Sequence, residues 1–148
     1  MKYLFRRIAV VLAVMILALG IFMEYKSTKG LKDGFYTAEM AEYHYGWIEY
    51  LIIQVKNDKI VSAEYNARNE SGFVKSWDNA YMKNMMPGYG TYPNKYTREY
   101  VQQLIDSQVN TKVDVITGAT SSGKNFEKLV AAVLKQAATG NSATVVVE

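Results

Sequence analysis

The run of residues 8–23, IAVVLAVMILALGIFM, is the feature that most restricts how this chain can fold. It carries no charged side chain, and three basic residues precede it. A helix needs about 20 apolar residues to cross a bilayer, and Leu4 and Phe5 can lengthen the run toward that figure. Bulky residues follow it, whereas a signal-peptide cleavage site requires small ones. We therefore predict that residues 1–23 form a membrane anchor or signal helix, with the uncleaved anchor favoured.

The distribution of charge predicts how this segment is oriented. Three of the 17 Lys and Arg residues lie before Met23, which leaves 14 basic against 14 acidic residues in the remainder. The positive-inside rule then predicts a cytoplasmic N-terminus, a single pass through the cell membrane and an extracytoplasmic C-terminal domain. Because that domain has balanced charge and no basic cluster, we expect no nucleic-acid partner.

The chain contains no cysteine. Disulfides, thiolate metal sites and a lipid-modified Cys are therefore excluded, and membrane attachment would depend on the N-terminal helix. The polar stretch EYKSTKGLK, residues 24–32, predicts a short tether, and residues 33–148 predict one domain.

β-branched and aromatic residues predict three strands in the first half of that domain. These are DGFYTAEM, GWIEYLIIQV and IVSAEYNA, and the polar KNDK between the last two predicts a β-hairpin. Residues 69–93 then lose their periodicity and gain Gly, Pro, Met and aromatic residues, although a short helix over residues 77–85 is compatible with them.

Two amphipathic stretches follow. YTREYVQQLIDSQ places Val101, Leu104 and Ile105 on one helical face. After a short apolar run, VDVI, a second helix carries a buried stripe of Phe126, Leu129, Val130, Val133, Leu134 and Ala137. The terminal SATVVVE either adds a strand or frays. Because strands precede helices, we predict an α+β domain in which an antiparallel β-sheet meander packs with two main helices, preceded by one N-terminal transmembrane or signal helix.

The segment DVITGATSSGKN, residues 114–125, has three interpretations. The first is a nucleotide-binding loop, because Gly118 to Lys124 fit G-x-x-x-x-G-K and VDVI is expected to form the strand before it. The eighth position is Asn125, where a Mg²⁺-binding hydroxyl is required. Only 23 residues follow Asn125, too few for the remaining strands of such a nucleotidase. We therefore reject this interpretation.

The second interpretation is structural. The hydroxyls of Thr120, Ser121 and Ser122 would cap a helix that begins around Ser122, and Gly118 would allow the turn before it. This role is compatible with a further function, but it does not account for Asp114.

The third interpretation is a resemblance. Asp114, Thr117, Gly118, Ala119 and Thr120 match the D-x-x-[ST]-G-A-[ST] signature of the FMN-binding domain family. DGFYTAE, NDKIVSAEYNA, YGTYPNKYT, VDVITGATSS and FEKLVAAVL also resemble small exported bacterial members, in the same order. The resemblance covers roughly residues 33–138.

The resemblance implies that FMN is joined through its phosphate to Thr120 by a separate flavin transferase, which uses FAD and a metal ion and recognises Asp114. The cofactor-binding residues that it implies are Asp114, Thr117, Gly118, Ala119, Thr120, Ser121 and Ser122. Lys124 could add a positive charge beside the phosphate or could be solvated. No catalytic residue and no metal ligand is expected in the chain itself.

The flavin ring needs flat apolar walls. The sequence offers aromatic and Met candidates in the early strands and the irregular segment, each of which could equally be core: Tyr43, Tyr45, Trp47, Trp77, Tyr81, Met85, Met86, Tyr89 and Tyr92. His44, the only histidine, is expected at the surface.

Two functions stay open from the sequence. The first is a membrane-anchored extracytoplasmic flavoprotein that relays electrons from a membrane electron donor to an unknown external or protein acceptor. It would be a redox carrier rather than a stand-alone enzyme. The second is an exported binding or structural module that holds a noncovalent ligand or none.

Overall fold

The computed structural model describes residues 11–17, 19 and 30–148. The chain divides into two compact units, Met1–Gly30 and Leu31–Glu148. In the first unit, residues 11–17 and 19 are helical, and the rest of the predicted anchor and most of the predicted tether lie outside the described residues. Within the described part of the chain, no helix combines the length and the apolar character that crossing a membrane requires.

The second unit contains a four-stranded sheet with the order β3-β2-β1-β4. The strands are β1 (Gly34–Met40), β2 (Ile48–Lys56), β3 (Lys59–Arg68) and β4 (Val145–Val147). β1 pairs antiparallel with β2, and β2 pairs antiparallel with β3, which confirms the predicted hairpin. Asn57 and Asp58 form its turn with positive φ angles of 52° and 62°, as a two-residue hairpin loop requires.

The sheet is mixed, which corrects the prediction of a purely antiparallel meander. β4 pairs with β1 in parallel. The Lys32 N–H, just before β1, donates to the Ala137 carbonyl near the end of the last helix. The chain therefore leaves that helix beside the start of β1, so the strand that follows runs in the direction of β1. The α+β class itself is confirmed.

The Leu31–Glu148 unit has one 3₁₀ turn and three α-helices. The turn is Lys75–Trp77, and the helices are α1 (Asn79–Tyr89), α2 (Pro93–Ser107) and α3 (Thr120–Thr139). α2 and α3 are the two predicted main helices. α1 occupies much of the segment expected to be irregular and extends beyond the short helix considered there. Gly90 and Gly140, both in the left-handed conformation, end α1 and α3.

The two main helices share one core with the sheet. α2 packs against β3, and α3 packs against β1 and β2. At the centre, the Phe126 ring of α3 lies 4.7 Å from the Tyr65 ring of β3 and 5.5 Å from the Tyr100 ring of α2, measured between centroids. Burying side chains of this size stabilises the fold by about 1.5–3 kcal/mol each. The core thereby fixes the N-terminal half of α3 against the sheet and against α2.

Candidate functional site

The loop between α2 and α3 carries most of the predicted site residues. Its apolar run, residues 113–116, forms no strand, which corrects the expected strand before the motif. Val113 and Ile116 instead pack their side chains against the core. Since a strand neighbour is missing, their backbone groups bond to side chains: Glu127 Oε1 accepts from the Val113 N–H at 3.2 Å, and the Tyr100 hydroxyl accepts from the Ile116 N–H at 3.4 Å.

Gly118 is required both by its backbone and by its surroundings. Its φ is +83°, a conformation that L side chains rarely adopt. A Cβ placed there would lie 2.6 Å from the Tyr89 carbonyl oxygen and 3.2 Å from the Thr91 methyl group. The loop therefore turns directly against the end of α1 before it enters α3.

The predicted helix cap is wrong. α3 begins at Thr120 rather than around Ser122, and the capping position is Ala119, whose side chain makes no capping hydrogen bond. The first backbone hydrogen bond of the helix runs from the Gly123 N–H to the Ala119 carbonyl. The N–H groups before Gly123 are therefore free of intrahelical partners, as at any helix start.

The predicted cofactor-binding residues differ in exposure. Asp114, Thr117, Thr120 and Ser121 are exposed. Gly118 and Ser122 are half-buried, and Ala119 is 4% exposed and belongs to the core. Thr120 is thus an exposed residue at the first position of a helix.

Gly123 lets the α2 side chain Tyr100 reach this point. A Cβ on Gly123 would lie 2.5 Å from the Tyr100 hydroxyl oxygen. That hydroxyl donates to the Ala119 carbonyl at 3.1 Å and accepts from the Ile116 N–H. The second glycine of the GATSSGK match therefore accommodates a tyrosine of the same chain, and its presence needs no phosphate.

A cavity of about 700 Å³ lies beside the start of α3. Within α3, Ser121, Lys124, Asn125 and Lys128 line it. Its other walls come from the end of β1 and the loop after it, from the start of β2, and from the C-terminal residues: Met40, Ala41, Glu42, Tyr43, His44, Trp47, Glu49, Val147 and Glu148. This volume lies within the range of small-molecule and cofactor sites.

Glu49 is a buried cavity residue that sequence reasoning missed. It is 9% exposed, and its carboxylate accepts from Ser122 Oγ and from Asn125 Nδ2, both at 2.7 Å. A signal was present, because Glu49 shares the alternating register of Leu51, Ile53 and Val55, which are buried in the core. A carboxylate in the inward register of a strand is unusual and indicates a bonded partner.

A second buried charge lies near Glu49. Lys75 is 9% exposed, and its ammonium lies 4.8 Å from the Tyr81 ring centroid and 5.7 Å from the Trp47 ring centroid. Burial lowers the pKa of Lys75, and the Glu49 carboxylate opposes that shift. The two aromatic faces and the carboxylate offset only part of the desolvation of the ammonium, since the pKa remains lowered.

The other predicted residues separate into two groups. Tyr43 and Trp47 line the cavity, as do His44 and Lys124, and His44 is exposed as expected. Tyr81 contacts Trp47 edge-on, with centroids 6.2 Å apart. The remaining ring candidates lie away from the cavity lining, and four of them are exposed: Tyr45, Trp77, Met86 and Tyr89.

Known proteins resemble this chain along most of its length. Residues 16–135 match the FMN-binding domain family. The 15 kDa lipoprotein of Treponema pallidum is 30% identical over 131 residues, which cover 88% of this chain and 93% of that protein. A crystal structure of a Clostridium perfringens protein aligns with a TM-score of 0.75 at 39% identity, covering 78% of this chain and 96% of that one. The likeness thus extends from the signature to the sheet and the helices, and the chain belongs to the FMN-binding domain family.

Proposed function

We propose that this protein carries FMN joined through its phosphate to Thr120 and serves as an extracytoplasmic electron carrier. The observation that carries the proposal is that Thr120, the last residue of the family signature, is exposed at the first position of α3, and that the next residue, Ser121, lines a cavity of cofactor size.

The start of α3 fits a phosphodiester. Free N–H groups and the helix dipole favour an anion at this end of a helix. Thr120, Lys124 and Lys128 are spaced by four residues, so they follow one another along the same side of α3. Lys124 and Lys128 both line the cavity. The Lys124 ammonium, one turn from Thr120, would therefore help to hold the remaining phosphate charge. The Lys128 ammonium lies a further turn away and donates to the Glu148 carbonyl at 2.8 Å, at the far side of the cavity.

The cavity also fits a flat, mostly apolar ring. Trp47 and Tyr43 supply aromatic walls, and Met40 and Val147 supply apolar ones. Glu49 and Asn125 add polar atoms at a buried position, where a ring edge with donors and acceptors could bond. When bound, FMN supplies reversible transfer of electrons, and these residues would orient it and limit its contact with water.

Attachment needs a partner, because a Thr hydroxyl is a weak nucleophile unaided. In the proposed reaction, a flavin transferase removes the Thr120 hydroxyl proton, and Thr120 Oγ attacks the FMN phosphorus of FAD. The Oγ–P bond forms, the pyrophosphate bond breaks, and AMP leaves. The exposure of Thr120 supports this step, since the transferase must reach Oγ.

The cellular setting belongs to the proposal as well. The Treponema relative is a lipoprotein. The present sequence has no cysteine to carry a lipid, so we infer that residues 1–23 hold the protein at the membrane. A membrane electron donor would reduce the cofactor, and an external or protein acceptor would oxidise it.

The proposal is tested by co-expressing the full chain with a flavin transferase and measuring its mass after denaturation. We expect a gain of one FMN less one water and a fluorescent band on a denaturing gel. Thr120→Val should lose both signals, whereas Ser121→Ala, which removes the neighbouring exposed hydroxyl, should keep them. Flavin that dissociates on denaturation would favour the noncovalent binding module instead, and an adduct that survives in Thr120→Val would refute the assigned residue.

A further inference from the structure

The Gln103 side chain of α2 holds both backbone groups of Asp114. Gln103 Oε1 accepts from the Asp114 N–H at 2.6 Å, and Gln103 Nε2 donates to the Asp114 carbonyl at 3.4 Å. In an extended chain, the N–H and the C=O of one residue point to the same side, where a neighbouring strand would bond both. The amide of Gln103 takes the place of that strand.

Further side chains fix the loop on either side of Asp114. Glu127 Oε1 accepts from the Val113 N–H, and Glu127 Oε2 pairs with Lys112 Nζ at 2.8 Å. The Tyr100 hydroxyl ties Ile116 to Ala119. The backbone is thus bonded repeatedly along residues 113–119, the seven residues before Thr120, although it belongs to no sheet.

These bonds leave the opposite side of the loop to solvent. The side chains of Asp114, Val115 and Thr117 are exposed, and Val115 is 70% exposed. An exposed apolar side chain beside an exposed carboxylate, on a fixed backbone, is a suitable surface for a protein partner. Because the backbone is already ordered, a partner that binds it avoids about 1–2 kcal/mol of ordering entropy per residue.

We propose that α2 presents residues 113–120 as a preformed docking site for the flavin transferase, with Gln103 as a positioning residue and with Asp114 and Val115 as the side chains that the transferase contacts. This inference rests on the proposed function. It adds that the modifying enzyme reads a fixed three-dimensional surface and not merely a linear sequence.

Gln103 is suited to a test because it is only half-buried, so its substitution should disturb the core little. Tyr100, by contrast, is fully buried in the core. The adjacent Gln102 is a matched control, since its Nε2 donates to Asp106 Oδ1 at 2.8 Å on the same helix, and no hydrogen bond joins it to the loop. Gln102→Leu and Gln103→Leu each remove one side-chain amide from α2, so they differ mainly in whether that amide bonds to the loop.

The experiment measures two quantities on the detergent-solubilised full chain. One is the rate of FMN attachment by purified flavin transferase and FAD as the chain concentration is varied. The other is hydrogen exchange at the Asp114 amide. For Gln103→Leu we expect a rise in KM that lowers kcat/KM by about tenfold, which corresponds to about 1.4 kcal/mol, together with faster exchange at Asp114. Gln102→Leu should match the wild type in both, and Gln103→Glu, which keeps the acceptor, should be intermediate.

Val115→Ser provides a second, independent variant. It should leave exchange at Asp114 unchanged and still raise KM, because it alters only the exposed surface. Unchanged attachment kinetics in Gln103→Leu, with faster exchange at Asp114, would overturn the docking inference while leaving covalent attachment intact. Failure of the transferase to modify the wild type would instead overturn the proposed function.

Discussion

The segments before and after Thr120 are held in place by opposite arrangements. Before Thr120, the backbone of the loop is held by side chains from helices, chiefly Gln103 and Tyr100 of α2. After it, the side chains of α3 hold a group of the sheet, since Ser122 and Asn125 both donate to the buried carboxylate of Glu49. Thr120 thus lies between a loop supported by α2 and a helix start that is bonded to β2.

This difference has a consequence for how the site tolerates change. The loop depends on close backbone contact, so a small steric change there is costly. The helix start depends on a charged hydrogen-bonded cluster, so a change of charge or protonation there matters more than a change of size. The loop and the helix start can therefore be weakened separately by substitution.

The largest effect is expected from Gly118→Ala in the loop. An Ala there is strained by the φ of +83° and meets the Tyr89 carbonyl oxygen at 2.6 Å. The two causes together should lower the free energy of unfolding by about 3 kcal/mol. Gly72→Ala is the control, because Gly72 has a φ of +81° and nothing within 4 Å of a built Cβ. Equal losses in urea denaturation would show that contact with α1 is unimportant.

A smaller effect is expected from Glu49→Gln at the helix start. A Gln side chain offers one oxygen and one NH₂ group, so one of the two donors, Ser122 or Asn125, loses its acceptor. The change also removes the negative charge that opposes the desolvation of Lys75. We expect a loss of about 2 kcal/mol in the free energy of unfolding. Glu42→Gln, which alters an exposed carboxylate of the same cavity, should have little effect.

The smallest effect concerns alkaline pH. Burial raises the pKa of Tyr65 well above its ordinary value near 10, with the Glu49 carboxylate as a second cause, and burial also raises the pKa of Tyr96. The folded state therefore keeps protons that the unfolded chain releases. Stability is complete below pH 10 and is lost as pH rises above it. The lowered pKa of Lys75 acts in the opposite direction, but only below about 10.4, the value of an unperturbed lysine.

Denaturation curves between pH 8 and 12 test this dependence. Tyr65→Phe should lose about 1 kcal/mol at pH 8, because the hydroxyl no longer donates to the Ser122 carbonyl, and it should show a shallower decline above pH 10. Tyr45→Phe is the control, since the Tyr45 side chain is 85% exposed. A decline of equal slope in Tyr65→Phe and the wild type would count against a buried tyrosine as its cause.

Periodicity in the sequence predicted the elements that bury one face. β1, β2, β3, α2 and α3 were all expected, because alternation and helical stripes depend on local spacing. The direction of β4 was not predictable, since a three-residue Val strand carries no information on its partner. Its parallel pairing depends on where α3 ends, beside Lys32, and that contact joins distant parts of the chain.

The site was predicted less completely than the fold. The signature residues were found by resemblance, but the run VDVI was mistaken for a strand because three of its four side chains are apolar. Its backbone bonds instead to side chains of α2 and α3, which the local sequence does not reveal. Glu49 could have been suspected from its inward register in β2. The prediction that the hydroxyls cap the helix was wrong for Ser122 because its hydroxyl donates to Glu49, a sheet residue 73 positions away. Such a distant partner cannot be predicted from local sequence rules.

The contact between Gly123 and Tyr100 also bears on how such chains can diverge. A larger residue at position 123 collides with the hydroxyl at position 100, and Tyr100 is fully enclosed and cannot withdraw. We therefore expect the residues at positions 100 and 123 to vary together among related chains. Chains that keep Tyr100 would then also keep Gly123, and with it the spacing of the two glycines in GATSSG. The likeness of this spacing to a nucleotide-binding loop would follow from steric contact and not from nucleotide binding.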